Sequence, residues 1–184
     1  QFILTSATIG NPAELAERLI EAPVTLVDDD GSGRGERHFL IYNPPVVDEA
    51  LGLRKNSIQE SVRLAQDLLQ NNLQSVVFAR SRRSVEVLLK YLQESPSPLR
   101  PSPNGKGDGG EEIRGYRSGY LPRQRREIEK GLRDGSVRMV VATNALELGI
   151  DIGGLGAALL VGYPGTIAST IQQAGRAGRG DEPA

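Results

Sequence analysis

Apolar positions in this chain follow two alternating patterns. Short and nearly continuous apolar runs predict strands that are covered on both faces. Between them, apolar residues at every third or fourth position predict amphipathic helices. The strands are predicted at residues 75–79, 112–116, 138–143 and 157–161, and the helices are predicted to begin near Ser57, Ser81, Pro122 and Gly165. This alternation predicts an α/β fold in which a parallel sheet has helices on both faces.

Two of these helices carry start signals. Ser57 and Glu60 have the spacing of a capping box, and Ser81 can cap the helix that follows the first strand. The last helix is predicted to carry both Arg176 and Arg179.

The first part of the chain has a different pattern. Residues 2–4 predict the end of a buried strand, and Asn11-Pro12 predicts the start of a short helix. Residues 24–47 are predicted to be largely extended, until Asn43-Pro44-Pro45 breaks regular structure. The pattern therefore predicts a terminal piece of one domain at 1–42, a linker at 43–55 and a second domain at 56–184.

One segment of the second domain lacks any apolar period. Proline and glycine dominate residues 95–111, which predicts a disordered insertion between a helix and a strand. A docking or modification site is the alternative interpretation.

Composition narrows the class of protein. A hydrophobic fraction of 38% and a charged fraction of 24% are those of an ordinary globular domain. No apolar run of about eighteen residues predicts a membrane helix, and no signal-peptide pattern is visible. The absence of cysteine excludes disulfides and thiolate metal sites, and it fits a reducing compartment. Gln1 lies within an apolar run, which predicts that the sequence is a piece of a longer chain.

Because the net charge is only −1, any contact with nucleic acid must come from a local basic cluster. One such cluster consists of Arg114, Arg117, Arg123, Arg125, Arg126, Lys130, Arg133 and Arg138. Acidic residues are interleaved with these, so a solvated helix face is the alternative.

The segment Gln172–Arg179 predicts an anion site. Arg176 and Arg179 are separated only by small residues, and two guanidinium groups one helical turn apart can face the same polyphosphate. Two surface arginines are the alternative when the segment is considered alone.

A strand end about thirty residues upstream offers further groups. Thr143 places a hydroxyl and backbone amides where a phosphate could bind, Gly149 permits a turn that a side chain would obstruct, and Asp151 can accept hydrogen bonds from ribose hydroxyls. A plain strand followed by a loop remains the alternative.

The end of the first strand of the second domain is a third candidate site. Arg82 lies at a helix start, where backbone donors favour an anion. Further along, Tyr116 or Tyr120 could stack on a base beside Arg117, although a tyrosine in such a segment is more often a core or edge residue.

Several other sites are excluded. The sequence contains no Gly-x-x-x-x-Gly-Lys-Ser/Thr loop. The acidic segment at Asp48 follows two prolines instead of a buried strand, so it is rejected as a magnesium-binding box. His38, the only histidine, has no acidic partner at catalytic spacing and is interpreted as structural.

Taken in order, these segments resemble the motifs of superfamily-two helicases. The matching stretches are 6–8 for motif III, 78–82 for motif IV, 140–152 for motif V and 172–179 for motif VI. With residues 28–45 and 162–166, the chain more specifically resembles DEAD/DEAH-box DNA helicases of the mitomycin-repair-factor type, relatives of a RecQ-four-like helicase. The resemblance covers nearly all of the chain except 95–111, and it implies a second RecA-like lobe preceded by a terminal piece of the first lobe.

The resemblance also implies a role for each matching residue. It implies contacts with ATP for Gly149, Asp151, Gln172, Arg176 and Arg179, contacts with nucleic acid for Arg82, Arg117, Arg126 and Thr143, and coupling between the lobes for Ser6 and Thr8. The two arginines of motif VI would face the γ-phosphate. The chain departs from the common pattern at Glu147 and Gln173, where many relatives have arginine.

For the parent protein, the resemblance implies ATP-dependent movement from 3′ to 5′ on single-stranded DNA, in DNA repair. Mg²⁺ would be held mainly by the first lobe, and a zinc-binding domain with four cysteines would lie outside this sequence. The protein would be in the nucleoid of a prokaryote or the nucleus of a eukaryote. The piece alone is expected to be inactive. An RNA helicase and a non-catalytic binding module remain open alternatives.

Overall fold

The computed structural model describes residues 1–6, 8–29, 36–94, 112–147 and 154–178. The chain divides into two compact units, residues 1–33 and residues 34–184. The boundaries predicted at 42/43 and 55/56 stay predictions. Within the described ranges, no helix has the length and apolar character needed to cross a membrane.

In its described residues, the first unit contains one helix, α1 (Pro12–Ile20), with Pro12 in its first turn. The side chain of Asn11 donates a hydrogen bond of 2.9 Å to Glu14 and does not cap a backbone amide. The strand end predicted at residues 2–4 is wrong, because these residues are exposed and form no strand. A strand needs neighbours to satisfy its backbone groups, and the described part of this unit provides none.

The second unit begins with a small antiparallel hairpin, β1 (Val46–Asp48) and β2 (Leu53–Arg54). A parallel sheet of four strands follows, in the order β4-β5-β3-β6. Its strands are β3 (Ser75–Ala79), β4 (Ile113–Tyr116), β5 (Met139–Ala142) and β6 (Ala157–Val161). The predicted α/β class and the predicted strands are thereby confirmed.

Among the described residues of this unit, four α-helices accompany the sheet: one precedes β3, two link β3 to β4 and β4 to β5, and the last follows β6. They are α2 (Ser57–Gln70), α3 (Arg82–Glu94), α4 (Pro122–Asp134) and α5 (Ile167–Ala174). The capping box predicted at Ser57 is wrong. Asn56 caps α2 by accepting hydrogen bonds from two backbone amides, and the Glu60 carboxylate contacts other side chains instead of a backbone amide. The predicted Ser81 cap is confirmed, since its hydroxyl accepts a bond of 3.0 Å from the backbone amide of Ser84.

Side chains of the central strands alternate between two apolar clusters. Val77 and Ala79 pack with residues of α2 and α3, whereas Val76 and Phe78 pack on the other face with residues of α4. All four are at most 5% exposed. Burial of a valine-sized side chain contributes about 1.5–3 kcal/mol, so this sheet with helices on both faces fixes the ends of its strands in space.

The last helix ends earlier than predicted. Gly175 follows α5, and the next backbone bonds, from Arg176 to Gln173 and from Ala177 to Ala174, form tighter turns. Gly178 then has a φ of 66°, which favours glycine and ends the turn. Arg176 therefore lies in a loop after the helix. The prediction that the last helix carries Arg176 on one of its faces is wrong.

Candidate functional site

The carboxyl ends of parallel strands lie at one edge of a sheet, and two candidate arginines, Arg82 and Arg117, lie at this edge. Arg82, at the start of α3, donates a hydrogen bond of 3.0 Å to the hydroxyl of Ser118, which follows β4. The Nε of Arg117 lies 3.0 Å from the carboxylate of Glu86 on α3. These two contacts hold the α3 start and the β4 end together, with Arg82 exposed and Arg117 partly exposed.

The two tyrosines near this edge have different surroundings. Tyr116 is 1% exposed, and its hydroxyl donates a hydrogen bond of 2.9 Å to Glu129. Burial raises the pKa of Tyr116 to about 12, with the Glu129 hydrogen bond acting in the same direction. Tyr116 is therefore a core residue and cannot stack on a base. Tyr120 is partly exposed, and the Arg117 guanidinium lies 5.2 Å from its ring centroid.

Thr143 begins a tight turn directly after β5. Its hydroxyl accepts a hydrogen bond from the backbone amide of Ala145, and its own amide donates one to the carbonyl of Tyr116 at the end of β4. The turn continues as a short 3₁₀ helix, Asn144–Leu146, and reaches Glu147. Thr143 is 7% exposed, so a ligand would meet a hydroxyl whose position is already fixed.

A buried polar cluster joins this turn to the end of α5. The side-chain amide nitrogen of Gln173, Nε2, donates a hydrogen bond of 3.0 Å to the carboxylate of Glu147. A terminal guanidinium nitrogen of Arg176 donates to the backbone carbonyl of the same Glu147. All three residues are at most 7% exposed. The turn that begins at Thr143 therefore directly contacts the loop that carries Arg176.

The same loop is held from a second side by Arg37. The Nε and Nη2 of Arg37 donate hydrogen bonds of 3.2 Å and 2.9 Å to the carbonyl of Gly178. The amide of Gly178 donates a bond of 2.9 Å to the carbonyl of Leu155. Both backbone groups of Gly178 are thus engaged, two residues after Arg176.

The remaining predicted residues are less closely grouped. Arg126 lies exposed on α4, and among the described residues it forms no hydrogen bond or ion pair with the Arg82–Arg117 group. Gln172 is partly exposed in α5. In the first unit, the amide of Thr8 lies 3.4 Å from the hydroxyl of Ser6. Gly149, Asp151 and Arg179 lie outside the described residues.

The residue types in this region suit a nucleotide. Guanidinium and amide N–H groups donate to phosphate and ribose oxygens, so Arg176 and Gln172 fit ATP as a ligand. Since Arg176 is 5% exposed and already donates to Glu147, its side chain would have to turn outward to meet a phosphate held by another lobe.

Sequence reasoning missed three residues of this site. Arg37, Glu147 and Gln173 form contacts between segments that are far apart in the sequence. The signal at Glu147 and Gln173 was visible as a departure from the common motifs, but no pattern in one sequence showed that the two side chains meet. Arg37 belongs to a stretch that matches the family, and nothing in its spacing points to residue 178.

Comparison with known proteins identifies the family. The family described as "Helicase conserved C-terminal domain" matches residues 59–181. The chain is similar to the uncharacterized ATP-dependent helicase YprA of Bacillus subtilis, with 52% identity over 97% of this chain and 23% of YprA. It is also similar to the ATP-dependent helicase HRQ1 of Saccharomyces cerevisiae, with 39% identity over 97% of this chain and 16% of HRQ1.

Solved structures agree with these sequence matches. The crystal structure of the DUF1998 helicase MrfA bound to DNA and AMPPNP has a TM-score of 0.82 and 49% identity, covering 97% of this chain and 24% of MrfA. The predicted resemblance and the RecA-like fold are confirmed. The chain spans about a quarter or less of the length of these proteins.

Proposed function

The chain belongs to the family of helicase conserved C-terminal domains, and we propose that it is the second RecA-like lobe of an ATP-dependent DNA helicase. The observation that carries this proposal is the direct contact between the turn of Thr143 and the loop of Arg176, through Glu147. A motor must connect a nucleic-acid contact to a nucleotide contact. This turn connects Thr143, the candidate for the first contact, to Arg176, the candidate for the second, through the backbone of residues 143–147 and one hydrogen bond.

ATP would lie between this lobe and the first lobe, which would hold Mg²⁺ and most of the triphosphate. When bound, ATP supplies the phosphoanhydride bond whose hydrolysis drives movement. Arg176 and Arg179 would face the γ-phosphate and stabilise the charge that develops there, an effect worth about 10³-fold or more in rate. Gln172, Gly149 and Asp151 would complete the nucleotide contacts from this side.

The nucleic-acid backbone would lie along the carboxyl ends of β3, β4 and β5. Arg82 and Arg117 are held there by Ser118 and Glu86, and Thr143 lies at the end of the neighbouring strand. Arg126 would add a contact from α4. Ser6 and Thr8 would couple the lobes, which close on ATP and open after hydrolysis.

Single-stranded DNA is the proposed substrate, with movement from 3′ to 5′ and a role in DNA repair. Two features support DNA over RNA: the motif-by-motif resemblance to the mitomycin-repair-factor type, and the DNA bound in the crystal structure of the similar helicase MrfA. A zinc-binding domain elsewhere in the parent, and a location in the nucleoid or nucleus, belong to the same proposal.

The test is the ATPase activity of the full-length parent, measured without nucleic acid, with single-stranded DNA and with single-stranded RNA. Stimulation by DNA alone is the expected result. Stimulation by RNA would instead identify an RNA helicase, and an absence of hydrolysis under all three conditions would identify a non-catalytic binding module. Movement on a duplex with a 3′ or a 5′ overhang then tests the proposed polarity.

A further inference from the structure

The contact between Arg37 and Gly178 joins two segments that are far apart in the sequence. Two nitrogens of one guanidinium, Nε and Nη2, converge on a single carbonyl oxygen at 3.2 Å and 2.9 Å. Such a double contact fixes both the distance and the direction of the carbonyl, because the guanidinium is planar and rigid.

The carbonyl belongs to a buried loop that is held by contacts on more than one side. Arg176 follows the end of α5, and Gly178, with a φ of 66°, follows Arg176 after one residue. On one side, the amide of Gly178 donates to the carbonyl of Leu155. On the other side, its carbonyl accepts from Arg37. The backbone of the arginine loop is therefore held between Leu155 and Arg37.

The position of Arg37 separates this contact from the core. Arg37 is exposed as a residue, and neither apolar cluster of the sheet includes its segment. Substitutions at exposed side chains away from the core change stability little. Loss of the Arg37 side chain should therefore loosen the loop at the Gly178 carbonyl without unfolding the lobe.

We propose that Arg37 is a positioning residue for catalysis: it holds the backbone of the loop from which the Arg176 side chain would turn outward to the γ-phosphate. This inference rests on the proposed function. A displacement of about 1 Å in a group that stabilises the transition state costs on the order of 10²-fold in rate. In this role Arg37 would act through the Gly178 carbonyl and not through a contact of its own with ATP or nucleic acid.

Lysine cannot replace this contact fully. An ammonium group keeps the charge but approaches the carbonyl as a single point, so it fixes distance and not direction. Activity should therefore decrease in the order wild type, Arg37→Lys, Arg37→Ala. A role of charge alone would instead leave Arg37→Lys equal to wild type.

The experiment compares steady-state ATP hydrolysis by the full-length parent and its Arg37→Ala, Arg37→Lys and Arg54→Ala variants, with saturating single-stranded DNA. Arg54 is the matched control, because it also donates to a backbone carbonyl, that of Pro44 at 2.7 Å, but lies in the hairpin β1–β2. For Arg37→Ala we expect kcat to fall on the order of 10- to 100-fold. The KM for ATP and the Kd for DNA should be unchanged. The melting temperature should stay within about 2 °C of that of the wild type.

Three results would overturn the inference: wild-type kcat in Arg37→Ala, a fall in kcat that accompanies an equal loss in Arg54→Ala, or a fall in kcat explained by a lower melting temperature. An Arg176→Ala variant separates this inference from the proposed function. If Arg176→Ala is inactive while Arg37→Ala is normal, only the positioning role fails. If Arg176→Ala turns over normally, the proposed role of the loop fails and the positioning role fails with it.

Discussion

The carboxylate of Glu147 and the amide of Gln173 lie 3.0 Å apart in the interior of the second unit. They are 7% and 6% exposed. These are the two positions at which the chain departs from the arginines that many relatives have. The two departures meet in the fold, since the two side chains form a hydrogen bond with each other. Together they connect the turn after β5 to the end of α5.

Removal of either partner should destabilise the lobe. Glu147→Ala leaves the buried amide of Gln173 without its acceptor, which costs about 1–3 kcal/mol in the free energy of unfolding. Urea denaturation of wild type, both single variants and the double variant measures the coupling energy, expected at about 0.5–3 kcal/mol. Glu147→Gln keeps an acceptor and should lose less. Additive single effects would contradict a direct bond between the two side chains.

Arg176→Ala in the full-length parent should lower kcat for ATP hydrolysis by about 10³-fold, because the charge that develops on the γ-phosphate loses a stabilising guanidinium. Arg176→Lys should recover only part of this loss, since lysine lacks the planar fork. Steady-state kinetics with saturating DNA measures both variants, and circular dichroism checks the fold. Normal turnover in a folded Arg176→Ala protein would exclude this residue from the nucleotide site.

Arg82→Ala should weaken the binding of single-stranded DNA and reduce its dependence on salt. Each lost phosphate contact removes about 0.7 from the slope of log K against log salt concentration for single strands. Fluorescence anisotropy at several salt concentrations measures this slope. Lys90→Ala is the matched control, because Lys90 lies on the same helix and is paired with Glu94. An unchanged slope in Arg82→Ala would remove this arginine from the interface.

The phenol of Tyr116 predicts a loss of stability at high pH. Burial raises its pKa from 10.0 to about 12, so the folded state holds the proton more tightly than the unfolded state does. This contribution is fully present below pH 10 and is lost as the pH rises toward 12. In Tyr116→Phe, the melting temperature should therefore fall less steeply as the pH rises through this range. An equally steep decline in Tyr116→Phe would assign the loss to another group.

Glu60 predicts the opposite dependence, at low pH. The hydrogen bond from Tyr42, of 2.8 Å, is the largest cause that lowers the pKa of Glu60, with further contributions from Arg63 and Lys55. The resulting stability is present above the ordinary pKa of 4.5 and is lost as the pH falls through the lowered value.

Tyr42→Phe should therefore reduce the change in melting temperature between neutral and acidic pH, because the pKa of Glu60 then moves back toward its ordinary value. Thermal denaturation monitored by circular dichroism across this range is the measurement. The ion pair between Arg18 and Glu14 of α1 provides a control. Both side chains are exposed, so solvent screens their attraction and Arg18→Ala should change the melting temperature little. A Tyr42→Phe curve equal to wild type would exclude the hydrogen bond as the cause.

The sheet was predictable from the sequence because its strands are short apolar runs with helices between them. The run at 157–161 and the strand β6 coincide, and Ser81 caps α3 as its chemistry predicts. Helix ends were less predictable. Asn56 and Ser57 both have the chemistry of a cap, and the structure selects Asn56 because Glu60 is held by Tyr42, Lys55 and Arg63.

The candidate site was predictable as a set of residue types and not as a set of contacts. Motif order indicated Thr143 and Arg176, but the location of Arg176 in a loop depends on where the backbone leaves α5 at Gly175. The contact between Arg37 and Gly178 joins residues 141 positions apart, and only the folded chain brings them together.

The connection from α3 to β4 offers a practical opportunity. It leaves the helix at Glu94 and enters β4, which among the described strands is an edge strand paired with β5. A fluorophore or an affinity peptide inserted between Glu94 and Glu112 would leave the described pairing of β4 with β5 in place. The second unit could then be labelled or immobilised at this point while the Thr143 turn and the Arg176 loop keep their native sequence.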